Sequence, residues 1–170
     1  NAKKPIFYIG GGCINSGTAA CKAIADLVRI TGYPATTTLM GLGAIPSSSP
    51  QWLGMLGMHG TYEANLAMHG CDVMIAVGAR FDDRVTGRID AFSPNSKKIH
   101  IDIDPSSINK NVPVEIPIIG DVGEVLSQML KIWDQKAPNV DSKALKKWWS
   151  EIDDWRAVNC LKYDQGHEPN

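Results

Sequence analysis

Runs of apolar residues along this chain switch between strand-like and helix-like spacing, and each switch marks an element. Ile6–Ile9 is a short, partly β-branched and aromatic run that stops at Gly10-Gly11-Gly12. From Ser16 to Ile30 the apolar positions Ala20, Ile24, Leu27 and Val28 recur three and four residues apart, as on one helix face, and Asn15 or Ser16 suits the N-cap. A strand, a glycine turn and a helix are predicted in that order. Gly32-Tyr33-Pro34 ends the helix, and the threonine-rich Ala35–Leu39 predicts a second strand. Gly41–Pro50 collects Gly, Ser and Pro and predicts a loop, and Thr61–Met68 a short helix. Val73–Val77 is a continuous apolar strand of the kind buried on both faces of a parallel sheet. Ile99–Ile103 predicts a further strand, Pro105–Ile108 a helical turn, Ile116–Ile119 an edge strand that tolerates Pro117, and Val122–Trp133 a helix. Five strands alternating with helices or turns predict an α/β fold with a doubly wound parallel sheet.

After Lys136 the pattern changes. Ala137-Pro138-Asn139 is a break, and Lys143–Tyr163 predicts a charged helix carrying Trp148, Trp149 and Trp155. An aromatic face of that size packs either on this domain or on a neighbouring one.

Composition narrows the functional classes. The 170 residues suit one domain plus a tail, and 44% hydrophobic with 21% charged residues is ordinary globular usage. Lys and Arg number 17 against 18 Asp and Glu, so the basic excess needed for nucleic acid is missing and no nucleic-acid partner is expected. No apolar run approaches the ~18–20 residues of a membrane span, and the first residues lack a signal peptide's apolar core; no membrane association is expected. Cys13, Cys21, Cys71 and Cys160 lie far apart, without C-x-x-C pairs or histidines at metal-ligand spacing, so free thiols and no metal site are expected. The chain opens on Asn1, not Met, which raises the expectation of a piece of something longer.

In an open parallel sheet, ligands bind beyond the carboxyl ends of the strands. The first strand ends in the glycine run, which is either a tight turn or a turn that lets a phosphate approach backbone N–H groups. Asn15 stands where the third glycine of G-x-G-x-x-G would be. The second strand ends in Thr37-Thr38-Leu39, without the acidic residue that binds the ribose of NAD. The strand at 73–77 runs into Gly78-Ala79-Arg80-Phe81-Asp82-Asp83-Arg84, a charge cluster suited to a phosphate-rich or carboxylate ligand, or else a solvated loop. His100, Asp102 and Asp104 alternate onto one face, either as hydrogen-bonding groups for a ligand or on an exposed face. Asp121 follows Gly120 and suits a helix N-cap. Met55, Met58 and Met68 surround the glycines of Leu56-Gly57-Met58-His59-Gly60, either as core filling or as contacts to a flat ring. His59 and His69 qualify for acid–base work by residue type alone. No nucleophile elbow, P-loop lysine or catalytic triad order is present, so the residues describe a nucleotide-binding α/β domain with no catalytic residue assigned.

Three segments occurring together and in order carry a family resemblance: Gly54-Met55-Leu56-Gly57-Met58-His59-Gly60, Gly78-Ala79-Arg80-Phe81-Asp82-Asp83-Arg84-Val85-Thr86-Gly87 and His100-Ile101-Asp102-Ile103-Asp104. From about Lys4 to Trp133 the chain closely resembles the central domain of the acetohydroxyacid synthase (acetolactate synthase) large subunits, which are thiamine-diphosphate enzymes. The resemblance implies a Rossmann-like (DHS-like) domain of about six strands over residues 1–136, with 137–170 as a helical connector towards a C-terminal domain. It implies an enzyme that decarboxylates pyruvate and joins the two-carbon unit to pyruvate or 2-oxobutanoate in branched-chain amino-acid synthesis. The implied cofactor of this domain is FAD, held by Gly11, Thr38, Leu39, Leu56, Gly57, Met58, His59, Gly78, Ala79, Arg80, Phe81, Asp82, Asp102, Ile103, Asp121 and Val122. Met58, Asp83 and Arg84 are implied to face a channel where herbicides bind. Thiamine diphosphate and magnesium belong to the flanking domains: neither the activating glutamate nor the G-D-G…N motif is present here, so the chain alone is expected to be inactive. The implied partners are those flanking domains, further copies in a dimer or tetramer, and a small regulatory subunit. The implied location is bacterial cytoplasm or a eukaryotic organelle. Glyoxylate carboligase and oxalyl-CoA decarboxylase types, or a free-standing nucleotide-binding module, are the alternatives, and the FDDR and GMHG runs favour the synthase.

Overall fold

The computed structural model describes residues 2–163; the end of the 137–170 segment, beyond Tyr163, lies outside the described residues. Six parallel strands form one sheet: β1 (Pro5–Ile9), β2 (Ala35–Thr37), β3 (Trp52–Met55), β4 (Val73–Val77), β5 (Lys97–Asp102) and β6 (Ile116–Ile119). Their order is β3-β2-β1-β4-β5-β6. The helices are α1 (Gly11–Asn15), α2 (Thr18–Thr31), α3 (Tyr62–Gly70), α4 (Asp83–Thr86), α5 (Val122–Lys136) and α6 (Ser142–Arg156).

β1 is buried along its whole length because it lies at the centre of a sheet covered on both sides. Phe7 and Ile9 of β1 pack with Val77 and Ile101 under Ile24, Leu27 and Leu126 of α2 and α5. Ile6 and Tyr8 face the other way, with Met74 and Ala76, towards Ala64 and Met68 of α3 and Trp148 and Ile152 of α6. The predicted doubly wound α/β sheet is therefore the observed architecture. Of the two partners left open for the tryptophan-rich face, this domain is one it packs on. Trp148 is buried and its Nε1 donates to Pro5 O (3.1 Å), while Trp149 Nε1 donates to Gly32 O (2.8 Å). Trp155 meets Trp148 edge-on, with ring centroids 5.7 Å apart.

Several boundaries differ from the expectation, each for a local reason. The glycine run does not only turn: Gly11–Asn15 forms a one-turn helix, and α2 starts at Thr18 behind Gly17 at φ 95°. Ser16 therefore caps nothing on α2, and its hydroxyl goes to Asp121 instead. β2 stops at Thr37 because the Thr38 side chain accepts from Gly41 N–H and starts a 3₁₀ turn over Leu39–Gly41. β3 has no counterpart among the strands expected from sequence: it is an edge strand without a β-branched residue, its pairing to β2 is irregular, and Gly54 sits at φ 94°. α6 ends at Arg156, short of the predicted Tyr163.

A candidate nucleotide-binding cleft

The strand order runs outwards from β1 through β2 to β3, then resumes on the other side of β1 at β4. Such a reversal leaves a crevice between two loops that depart in opposite directions. A cleft of about 480 Å³ opens there. Its walls come from the carboxyl ends of β2 (Thr38, Leu39, Met40), β1 (Gly10–Gly12), β4 (Gly78–Arg80, Asp82) and β5 (Asp102–Asp104). Four neighbouring strand ends span three inter-strand spacings, roughly 14 Å, which suits an elongated ligand.

The glycines are explained first by the chain itself. A Cβ on Gly10 would sit 2.2 Å from Gly78 O, one on Gly12 2.7 Å from Gly78 Cα, and Gly78 has a φ of 55°. The loops after β1 and β4 thus cross in backbone contact, and a side chain at these positions would force them apart. The amides are largely engaged as well: Gly10 N–H donates to Val77 O, Gly12 N–H to Gly78 O and Cys13 N–H to Gly10 O. The run therefore serves as a tight turn, and its three glycines also line the cleft. Gly11 keeps its place in the cleft wall, where an added Cβ would meet Met40 Cβ at 2.9 Å.

Charge and hydrogen-bonding capacity come from β4 and β5. Among the described residues, the exposed Arg80 guanidinium reaches only the exposed Asp82 carboxylate, at 3.2 Å. A surface pair of this kind is worth at most about 1 kcal/mol, so the arginine is free to take an anionic ligand. Asp102 is buried; its Oδ1 accepts from Asp104 N–H (2.9 Å) and its Oδ2 lies 3.6 Å from His100 Nε2. His100 is wholly buried, which excludes the exposed-face alternative for this strand. Burial holds its pKa below the usual 6.5, against the pull of Asp102. Ser106, through its hydroxyl and its N–H, holds the Asp104 carboxyl below the usual range. Cys13, beside the cleft, has its thiol pushed up to about 12 by burial and is no nucleophile at neutral pH. Among the described residues no three His, Cys, Asp or Glu side chains gather to hold a metal ion.

Of the implied contact residues, Gly11, Thr38, Leu39, Gly78, Ala79, Arg80, Asp82, Asp102 and Ile103 meet at this cleft, and Arg84 stands at its rim. The others are not among its lining. Leu56 and Phe81 are buried in the core under α3. Gly57 N–H donates to Asn65 Oδ1 and Met58 N–H to Arg84 O, which fastens the loop of Gly57, Met58 and His59 to the rim without placing it inside. Asp121 caps α5 by accepting from Glu124 N–H, and Ser16 Oγ lies 2.8 Å from both its oxygens, which holds its carboxyl below the usual range. Val122 is buried beside it, and Asp83 points its carboxylate back to Arg84 N–H. Tyr8, Met40, Val85 and Ser107 line the cleft and were not singled out from sequence. A signal existed only for Tyr8, the one hydroxyl-bearing residue in the run Pro5–Ile9.

An anion-seeking arginine, the buried Asp102 carboxylate and apolar Leu39 and Ile103 together fit an elongated anionic ligand bearing hydroxyls, as a dinucleotide does. The sheet order and crevice define the doubly wound α/β class that takes ligands at the switch point. Within it, the chain belongs to the thiamine pyrophosphate enzymes as their central domain, whose family model matches residues 1–129. It is 49% identical over 168 residues to the acetolactate synthase isozyme 3 large subunit of Escherichia coli (strain K12), covering 98% of this chain and 29% of that protein. It is 48% identical to the acetolactate synthase large subunit of Haemophilus influenzae, over 96% of this chain and 28% of the relative. With the acetolactate synthase of Mycobacterium avium it shares 44% identity, over 95% of this chain and 26% of the relative. The chain thus spans under a third of the length of these relatives. No helix among the described residues is long and apolar enough to cross a membrane.

Proposed function

We propose that this chain is the FAD-binding central domain of an acetolactate synthase large subunit. The observation that carries the proposal is a cleft walled by four adjacent strand ends, with Arg80 beyond the end of β4 and Asp102 at the end of β5. Its geometry suits a dinucleotide, and β2 ends without the acidic residue that would select NAD. In such a synthase the flavin contributes no net electron transfer. Arg80 binds the anionic diphosphate, Asp102 accepts from hydroxyls, and Leu39 and Ile103 shed water from the ligand's flat parts. Leu56–His59, Phe81, Asp121 and Val122 are proposed as supports or as contacts completed by neighbouring domains. Met58, Asp83 and Arg84 then face the herbicide channel of the assembled enzyme.

The whole synthase decarboxylates pyruvate and transfers the two-carbon unit to pyruvate or 2-oxobutanoate, with thiamine diphosphate and magnesium held by flanking domains. This chain supplies no catalytic residue and is inactive alone. Assembly into a dimer or tetramer, a small regulatory subunit and a bacterial cytoplasmic or organellar location belong to the same proposal, as does the division into a domain over 1–136 and a connector over 137–170. Titration of the chain with FAD, ADP and NAD, followed by flavin fluorescence and calorimetry, tests the reading. FAD is expected to bind most tightly; tight NAD binding without FAD binding overturns it.

A further inference from the structure

Three successive carbonyls of the loop leaving β4 are each caught by a side chain from a different part of the fold. His100 Nε2 lies 2.9 Å from Ala79 O, Tyr8 Oη donates to Arg80 O at 2.9 Å, and Asn111 Nδ2 donates to Phe81 O at 2.7 Å. A carbonyl only accepts, so His100 carries a proton on Nε2. Its Nδ1 is buried without a partner among the described residues. Tyr8 and His100 stand in one row across the sheet, since Tyr8 registers with Ala76 and Ala76 with His100. The small Ala76 leaves a gap between them, and the Phe81 ring occupies it, 5.6 Å from the Tyr8 ring and 5.1 Å from the His100 ring.

Loops usually turn their carbonyls to water. Here the backbone of Ala79–Phe81 is turned inward, Phe81 is buried, and the residues on either side of it, Arg80 and Asp82, line the cleft. Tyr8 and His100 are wholly buried, and each spends its polar tip on the backbone of this loop. We infer that Tyr8, His100 and Asn111 are positioning residues that fix the backbone of Ala79–Phe81 and so hold Arg80 aimed into the cleft before a ligand arrives. Such preorganisation removes an ordering cost from binding.

The inference rests on the flavin reading only for its second measurement. The first is backbone amide hydrogen exchange on the ligand-free chain, comparing the wild type with Tyr8→Phe, Asn111→Ala and His100→Gln. Tyr8→Phe deletes one oxygen and keeps the ring, and Asn111 is at the surface, so neither endangers the fold. Exchange is expected to quicken about five- to tenfold over residues 79–86 and nowhere else, the scale of one lost hydrogen bond. The second is FAD affinity in a double-mutant cycle. Tyr8→Phe is expected to weaken FAD several-fold in the wild-type background and to have no effect once Arg80→Ala is present. Unchanged exchange over 79–86 in all three variants overturns the inference, as do effects of Tyr8→Phe and Arg80→Ala that simply add. If the wild type takes up no FAD, the flavin reading fails and the exchange measurement alone decides the inference.

Discussion

Under α2 and α5 the sheet buries Phe7, Ile9, Val77 and Ile101, together with the polar Thr37 that registers with Ile9. Under α3 and α6 it buries Thr36, Tyr8, Lys98 and His100 among Ile6, Met74 and Ala76. Four of the polar tips on that second face end on carbonyls. Thr36 Oγ1 donates to Gly54 O, Tyr8 Oη to Arg80 O and Lys98 Nζ to Ser93 O and Ser96 O, while His100 Nε2 meets Ala79 O. The first face holds the domain together by excluding water; the second also holds β3 and the loops beyond β4 in one arrangement. A buried polar group without a partner is costly, and these contacts meet that cost for all four side chains except at His100 Nδ1.

The division predicts different consequences for the two faces. Ile24→Ala, on the first face, is expected to lower stability by about 2–5 kcal/mol in urea unfolding, with FAD affinity of the folded chain unchanged. A matching loss of affinity would break the division. Arg80→Ala is expected to do the reverse: about 1–3 kcal/mol of FAD affinity lost, with the unfolding midpoint unmoved. Lys98→Met leaves two carbonyls without their donor and should cost about 1–2 kcal/mol of stability. Its mark is faster hydrogen exchange around Ser93, a residue held at φ 42°. Unchanged exchange there would remove Lys98 from the loop-holding set.

The smallest effect is on pH. The folded pKa of His100 lies below 6.5 because burial disfavours its charged form. The unfolded chain therefore binds the extra proton first, and stability rises with pH through this window. The contribution is complete above about pH 6.5 and is lost as pH falls towards the lower, folded value. The carboxyls of Asp104 and Asp121, held below 3.8, begin to matter only in stronger acid. His100→Gln should flatten the upper window and leave the acid limb; an unaltered profile would mean that another group titrates there.

The two faces also differ in how far the sequence discloses them. Period and hydrophobicity reveal Ile24, Leu27, Val77 and Ile101, since a water-excluding face needs only the right residues at the right spacing. They reveal the glycine and acid at the strand ends for the same reason. They do not reveal β3, whose pairing depends on a bulge at Gly54, nor the inward turn of the loop after β4, which depends on Tyr8, His100 and Asn111 meeting from three places. Gly10 and Gly78 are legible as glycines, but sequence cannot tell that each yields space to the other's backbone. Asp121 reads equally as cap or ligand until Ser16 is seen beside it.

A crystal structure of the chain grown with FAD tests the central claim most directly. The account predicts flavin dinucleotide density lying across the ends of β2, β1, β4 and β5, in contact with Arg80 and Asp102, over a loop backbone that has not moved. Density elsewhere on the domain, or a loop at Ala79–Phe81 that has rebuilt itself around the ligand, would contradict it.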